Sequence, residues 1–178
     1  MRRWFVTGQP GAPVGEVAAA LSRALGLPLH DAEEALVTLT GCEPSDLLLT
    51  QGEETFRALE RDVVARLLGE QTERVVVLGG GAALHPHTRA DLVQALAAGD
   101  VLVFVDTSVA RAVAELGWTS APVTPVINAR AQWLRMAADR REEHRRLGAL
   151  IVDASTENVD EIVPRILGAG EPDPDQAD

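Results

Sequence analysis

Short apolar runs alternate with amphipathic stretches along most of the chain. Trp4-Phe5-Val6, Val75-Val76-Val77-Leu78, Val101-Leu102-Val103-Phe104-Val105 and Ala149-Leu150-Ile151-Val152 carry no polar alternation. That is the pattern of strands buried on both faces, as in a parallel sheet. Between them, Val17–Leu25 is rich in alanine and stops at Gly26, and Glu53–Leu68 places Phe56, Leu59, Val63, Val64, Leu67 and Leu68 at helical spacing. Pro86–Ala98, Ser108–Leu116, Ala129–Leu147 and Val159–Leu167 also predict helices. Leu27-Pro28-Leu29-His30 predicts a short extended piece, with Asp31 placed to cap a helix over Ala32–Leu39. Ser45 or Asp46 begins a further short helix, and Gly117–Asn128, with Pro122 and Pro125, reads as an irregular surface segment. Strands alternating with helices define an α/β fold, a parallel sheet covered on both faces. Ligands bind such sheets beyond the C-terminal strand ends, which points to the loops Gly8–Gly15, His30–Glu33 and Gly79–Gly81.

Length and charge narrow the picture. The 178 residues suit one domain, read as 1–168, followed by an acidic tail over 169–178 expected to be disordered. Hydrophobic residues make up 46% and aromatics 3%, so the core is built from Leu, Val, Ile and Ala. A net charge of −11 argues against general nucleic-acid or anionic-membrane binding. Cys42 is the single cysteine, which excludes an internal disulfide and a cysteine zinc site. The basic start Met1-Arg2-Arg3 is followed by a run too short for a signal peptide, and no run approaches the ~18 residues of a membrane span. The expectation is a soluble, cytoplasmic protein.

The candidate chemistry lies in the loops. Gly8-Gln9-Pro10-Gly11-Ala12-Pro13-Val14-Gly15 occupies the place of a phosphate-binding loop, G-x-x-x-x-G-K-[ST], without its residues. Pro13 has no N–H, Val14 no charge and Gly15 no hydroxyl, and the chain contains no lysine. The residues alone favour a tight strand-to-helix turn over a triphosphate cradle. Asp31 and Glu33 suit either magnesium and a substrate hydroxyl or the capping of a helix. Arg57 and Glu60, three apart, present an ion pair on one helix face. Gly79-Gly80-Gly81 after an apolar strand suggests close approach of backbone to a ligand. Arg135, Arg140, Arg141, Arg145 and Arg146 form a basic helix, mostly solvated, with room for one carboxylate clamp. His85 and His87 lack further ligands for a metal.

Taken in order, these landmarks resemble the shikimate kinase family over nearly all of residues 3–167. They are Gly8-x-Pro10-Gly11, Ala24-Leu25-Gly26, Asp31-Ala32-Glu33, Thr40-Gly41, Gly52-Glu53, Phe56-Arg57, Glu60-x-Asp62-Val63-Val64, Leu78-Gly79-Gly80-Gly81-Ala82, Arg140 and Val152-Asp153. The resemblance implies a three-layer P-loop kinase-like fold and phosphorylation of the shikimate 3-hydroxyl with ATP and Mg. By position it implies that Arg57 and Arg140 grip the substrate carboxylate. Glu33 and Gly80 would then meet ring hydroxyls, with Gly79 and Gly81 lining the pocket. Glu60 would orient Arg57, and Asp31 would sit near Mg as the catalytic carboxylate of an active enzyme.

Departures from the family pattern cluster on the nucleotide side. Its loop lysine and hydroxyl fall on Val14 and Gly15, its lid arginine in Ala121-Pro122, and its adenine-side arginine near Thr156-Glu157. Glu33 replaces an aspartate. Three expectations follow: a binder of shikimate or a related hydroxylated ring acid with weak or no kinase activity; an active shikimate or cyclitol kinase; or a regulatory subunit with a protein partner.

Overall fold

The computed structural model describes residues 2–117 and 123–170. In chain order the elements are β1 (Trp4–Gly8), α1 (Val14–Leu25), β2 (Leu29–Asp31), α2 (Ala32–Thr40), α3 (Pro44–Gly69), β3 (Val75–Val77), a 3-10 turn (Ala82–Leu84), α4 (Pro86–Ala97), β4 (Val101–Asp106), α5 (Val109–Glu115), α6 (Val123–Arg146), β5 (Leu150–Asp153) and α7 (Val159–Gly170). All strand pairings are parallel, in the order β2-β3-β1-β4-β5.

The apolar runs explain the three layers. Successive side chains of a strand point to opposite faces. Phe5, Val76 and Leu102 therefore join Leu36, Leu47, Val64, Leu67 and Leu92 on one face, under α2, α3 and α4. Trp4, Val6, Val75, Val103, Val105 and Val152 join Val17, Leu21, Ile162 and Ile166 on the other, under α1 and α7. Each large side chain so buried contributes about 1.5–3 kcal/mol. Because β3 and β4 flank β1 on opposite sides, the chain direction reverses beside β1, and a crevice opens at its C-terminal end.

Several boundaries differ from the sequence-based expectation. There is no loop at His30–Glu33: β2 runs straight into α2, and Asp31 ends the strand and caps the helix. Leu29 is largely exposed, so this short edge strand lacks the apolar signature of its neighbours. Helix α3 bends at Gly52 (φ 81°, ψ 167°), which divides it where two helices were expected. Helix α6 begins at Val123, inside the stretch read as irregular, because a proline such as Pro125 is tolerated in a first turn whose N–H groups have no helical partner. Helix α7 continues past Leu167 to Gly170, so the expected tail boundary at 169 falls inside a helix. The remainder of that tail, and the lid position Ala121-Pro122, lie outside the described residues. Among the described residues no helix is long and apolar enough to cross a membrane.

Candidate functional site

The loops after β1 and β3 meet at the crevice. Leu78 N–H donates to the Val6 carbonyl at 2.9 Å, which ties the exit of β3 to β1. A Cβ on Gly80 would stand 2.5 Å from the Gly8 carbonyl oxygen and 2.9 Å from Arg140 Nη1. Any side chain there would displace both a backbone and a guanidinium. Gly79 works the same way. A Cβ on Gly79 would lie 2.8 Å from Glu60 Oε1, whereas one on Gly81 would meet Arg140 Nη2 at 3.5 Å and Arg57 Nη1 at 3.6 Å, an ordinary contact. Gly79 and Gly80 therefore let Glu60 and Arg140, from two helices, close on one strand end, with Arg57 beside them at Gly81.

Those side chains differ in how they are held. Arg57 Nη1 donates to Glu60 Oε2 at 2.7 Å, and Glu53 lies 3.8 Å from Arg57 Nε. Arg140 is half-buried, and its Nε is fully buried with no hydrogen-bond partner. Burial first, and then the Arg57 charge, push its guanidinium below the usual arginine value, against the pull of Glu60. Its neighbours on α6 are committed elsewhere: Arg141 to Asp106, Arg145 and Arg146 to Glu142 at 2.9 Å each. Those two arginines pull exposed Glu142 to about 2. Two guanidinium groups thus flank the space above Gly81, and among the described residues only Arg57 is paired with a carboxylate. Such a pair is suited to a planar carboxylate, which accepts parallel N–H bonds.

The sequence-predicted site residues fall into two lobes that share Arg140. One cavity of about 320 Å³ is lined by Arg57, Glu60, Gly81 and Arg140 together with Arg61, Val64, Leu84, His85 and Thr88. The other, of about 390 Å³, is lined by Gly8, Gly11, Val14, Gly15, Asp31, Glu33, Gly79, Gly80 and Arg140. Leu84 and Thr88 were not singled out from sequence, and Val64 only as a helix-spaced landmark, since nothing in such an apolar or threonine residue marks it as cavity lining. His85 accepts from His87 N–H at 3.3 Å as the cap of α4. Among the described residues no group of three or more His, Cys, Asp or Glu is placed to hold a metal ion.

The carboxylates of the second lobe are crowded. Asp31 Oδ1 accepts from the N–H groups of Glu33 (2.7 Å) and Glu34 (3.4 Å), so helix capping describes one oxygen of Asp31. Glu33 projects toward the cleft with its pKa raised, first by desolvation and then by Asp31, Glu60 and Glu43. Its ionised form is disfavoured in the folded state. That penalty is absent below the ordinary carboxylate value and grows as pH rises through the raised value. Glu33→Gln should therefore raise the thermal midpoint at pH 8, with the gain vanishing near pH 4. A pH-independent difference in a melting series would contradict this environment.

The loop Gly8–Gly15 is bonded internally. Ala12 N–H donates to the Gln9 carbonyl at 3.0 Å and Val14 N–H to the Ala12 carbonyl at 2.8 Å, while Pro13 has no N–H. Gly11 (φ 84°) packs tightly on α5, where an added Cβ would lie 2.7 Å from Ala112 Cα. Near the expected adenine side, Arg111 donates to the carbonyls of Ala154 (2.5 Å) and Glu157 (3.4 Å), and the Glu157 carboxylate pairs with Arg165 at 2.5 Å.

The sheet order, the glycine-rich exits of β1 and β3, and the helices on both faces define the three-layer P-loop kinase fold. Known proteins narrow this further. The family model described as shikimate kinase matches residues 13–169. A shikimate kinase of Thermobifida fusca is 36% identical over 154 residues, covering 86% of this chain and 86% of its own. One of Mycobacterium tuberculosis is 32% identical over 163 residues, 91% of this chain and 89% of its own. A solved shikimate kinase of Acinetobacter baumannii in complex with shikimate superposes with a TM-score of 0.81 at 20% identity, covering 95% and 92% of the two chains. The chain belongs to the shikimate kinase family.

Proposed function

We propose that this protein binds shikimate, or a closely related hydroxylated ring acid, and has lost ordinary transfer of phosphate from ATP. The acid half of the reading rests on Arg57 and Arg140 beside the glycine run. Their charge-assisted bonds would take the ring carboxylate, with Glu60 holding Arg57 in place and Glu33 and the Gly80 backbone left for hydroxyls.

The observation that carries the other half is the bonding of the loop Gly8–Gly15. A triphosphate cradle needs successive free N–H groups, a lysine and a hydroxyl for magnesium. Here Ala12 and Val14 direct their N–H groups to the loop's own carbonyls, Pro13 has none, and no lysine exists in the chain. Among the described residues Asp31 and Glu33 are the acidic side chains that line this lobe, and one oxygen of Asp31 caps α2. The residues present do not fit ATP and Mg. Loss of two preorganised cations from phosphoryl transfer costs about 10²–10³ in rate each.

Family membership favours a second reading, an active shikimate kinase with an altered phosphate site, in which Asp31 would serve the metal. A coupled ADP-release assay with shikimate and Mg-ATP separates the two. The first reading expects no turnover above the enzyme-free blank; sustained, shikimate-dependent ADP release would establish the second.

A further inference from the structure

The loop Gly8–Gly15 has a set of contacts that a ligand cradle does not require. Gln9 is 2% exposed, and its Nε2–H donates to the carbonyl of Ala137 on α6 at 2.8 Å. One turn earlier on α6, Trp133, also buried, donates its Nε1–H to the carbonyl of Pro10 at 3.1 Å. Trp133 and Ala137 pack with Ala112 of α5 in a small separate core, against which Gly11 also rests. Two successive turns of α6 are thus fixed to two successive residues of the loop. The next turn of the same helix carries Arg140.

The rest of α6 is held by other elements. His144 is fully buried, its Nδ1 lies 2.7 Å from the Arg140 carbonyl, and its ring stacks on Phe104 of β4 at 4.3 Å. Arg141 pairs with Asp106 at the end of β4, and Glu143 pairs with Arg89 of α4 at 2.6 Å. Among the described residues Arg140 is left as the side chain on this stripe with no hydrogen-bonded carboxylate, half-buried and beside Arg57. A like-charged pair in a partly desolvated place is unfavourable, and it keeps its geometry only where the backbone that carries it is held. The contacts of Gln9 and Trp133 supply that restraint from the loop side.

We propose that Gln9 and Trp133 are positioning residues: they turn the former phosphate loop into a clamp on α6 that presets Arg140 for an acid without help from a nucleotide. The proposal rests on the ring-acid reading given above. In it, the loop contributes to binding through the helix it holds rather than through a phosphate. The N–H groups of Ala12 and Val14 are turned inward and the Gln9 and Pro10 contacts face α6, so occupying the loop and holding the helix are alternative uses of the same segment.

The test uses Trp133→Phe, which keeps a buried ring and removes the N–H donor, and Gln9→Leu, which keeps the volume and removes the amide. Titration calorimetry with shikimate should give a Kd raised about 3- to 10-fold for each, with the thermal midpoint little changed. In an Arg140→Ala background neither change should weaken binding further, since both act through Arg140. Equal losses with and without Arg140, or no loss, would overturn the clamp. Hydrogen exchange gives a readout that needs no ligand. Amides of residues 137–144 should exchange faster in both variants than in the parent, while those of β1 and β4 keep their protection. If the parent fails to bind shikimate, the ring-acid reading falls, and the exchange pattern still decides the clamp: unchanged protection of α6 would refute it.

Discussion

Replacing Arg140 by methionine is expected to raise the Kd for shikimate at least about 100-fold while leaving the protein as stable as before, or more so. A guanidinium–carboxylate clamp supplies two charge-assisted hydrogen bonds, each worth about 1.5–3 kcal/mol, and tenfold in Kd is about 1.4 kcal/mol. The stability side has the opposite sign. Arg140 carries a charge that burial and Arg57 both disfavour, and its buried Nε has no partner. Methionine keeps most of the volume and removes that cost. Calorimetry and thermal unfolding read the two effects separately. Unchanged affinity would remove Arg140 from the site, and a large fall in the midpoint would show that its charge serves the fold.

The second large effect lies at the other end of the sheet. Asp100→Ala is expected to lower stability by about 3–5 kcal/mol, because it leaves Arg3 charged and unpaired in the interior. Both residues are buried, 7% and 8% exposed. The Asp100 carboxylate accepts from the Arg3 backbone N–H at 2.7 Å, from Nε at 2.9 Å and from Nη2 at 2.5 Å. Arg3 Nη1 donates to the carbonyls of Leu68 and, at 2.9 Å, Glu70, which joins the end of α3 to the starts of β1 and β4. The double replacement Arg3→Met, Asp100→Leu should recover most of the loss, since no buried charge remains. Denaturant unfolding measures both. A loss below about 1 kcal/mol in the single variant would mean that water reaches Arg3. Shikimate affinity should not change, because these residues precede the strands whose far ends form the site.

The fold was legible because β1, β3 and β4 are buried on both faces and, like the half-buried edge strand β5, read as apolar runs. The fifth, Leu29–Asp31, is a short edge strand with an exposed leucine, and its periodicity carries almost no signal. The start of α6 was obscured by Pro125, whose effect on a helix depends on whether it falls in the first turn or later. In the candidate site, the glycine run and the Arg57–Glu60 spacing marked one strand end and one helix face. Family order brought in Arg140. Spacing could not show that Arg140 stands between two lobes, or that Asp31 points one oxygen at its own helix. Nor could it reveal Gln9 and Trp133, because they meet partners more than a hundred residues away in the chain and only the tertiary fold brings them together.

Titrating the protein with shikimate and, separately, with Mg-ATP tests whether the acid site has outlived the nucleotide site. Saturable heat is expected with shikimate, lost in Arg140→Met, and no saturable heat is expected with Mg-ATP up to millimolar concentration. Mg-ATP binding at micromolar Kd, or no shikimate binding by the parent protein, would contradict this expectation.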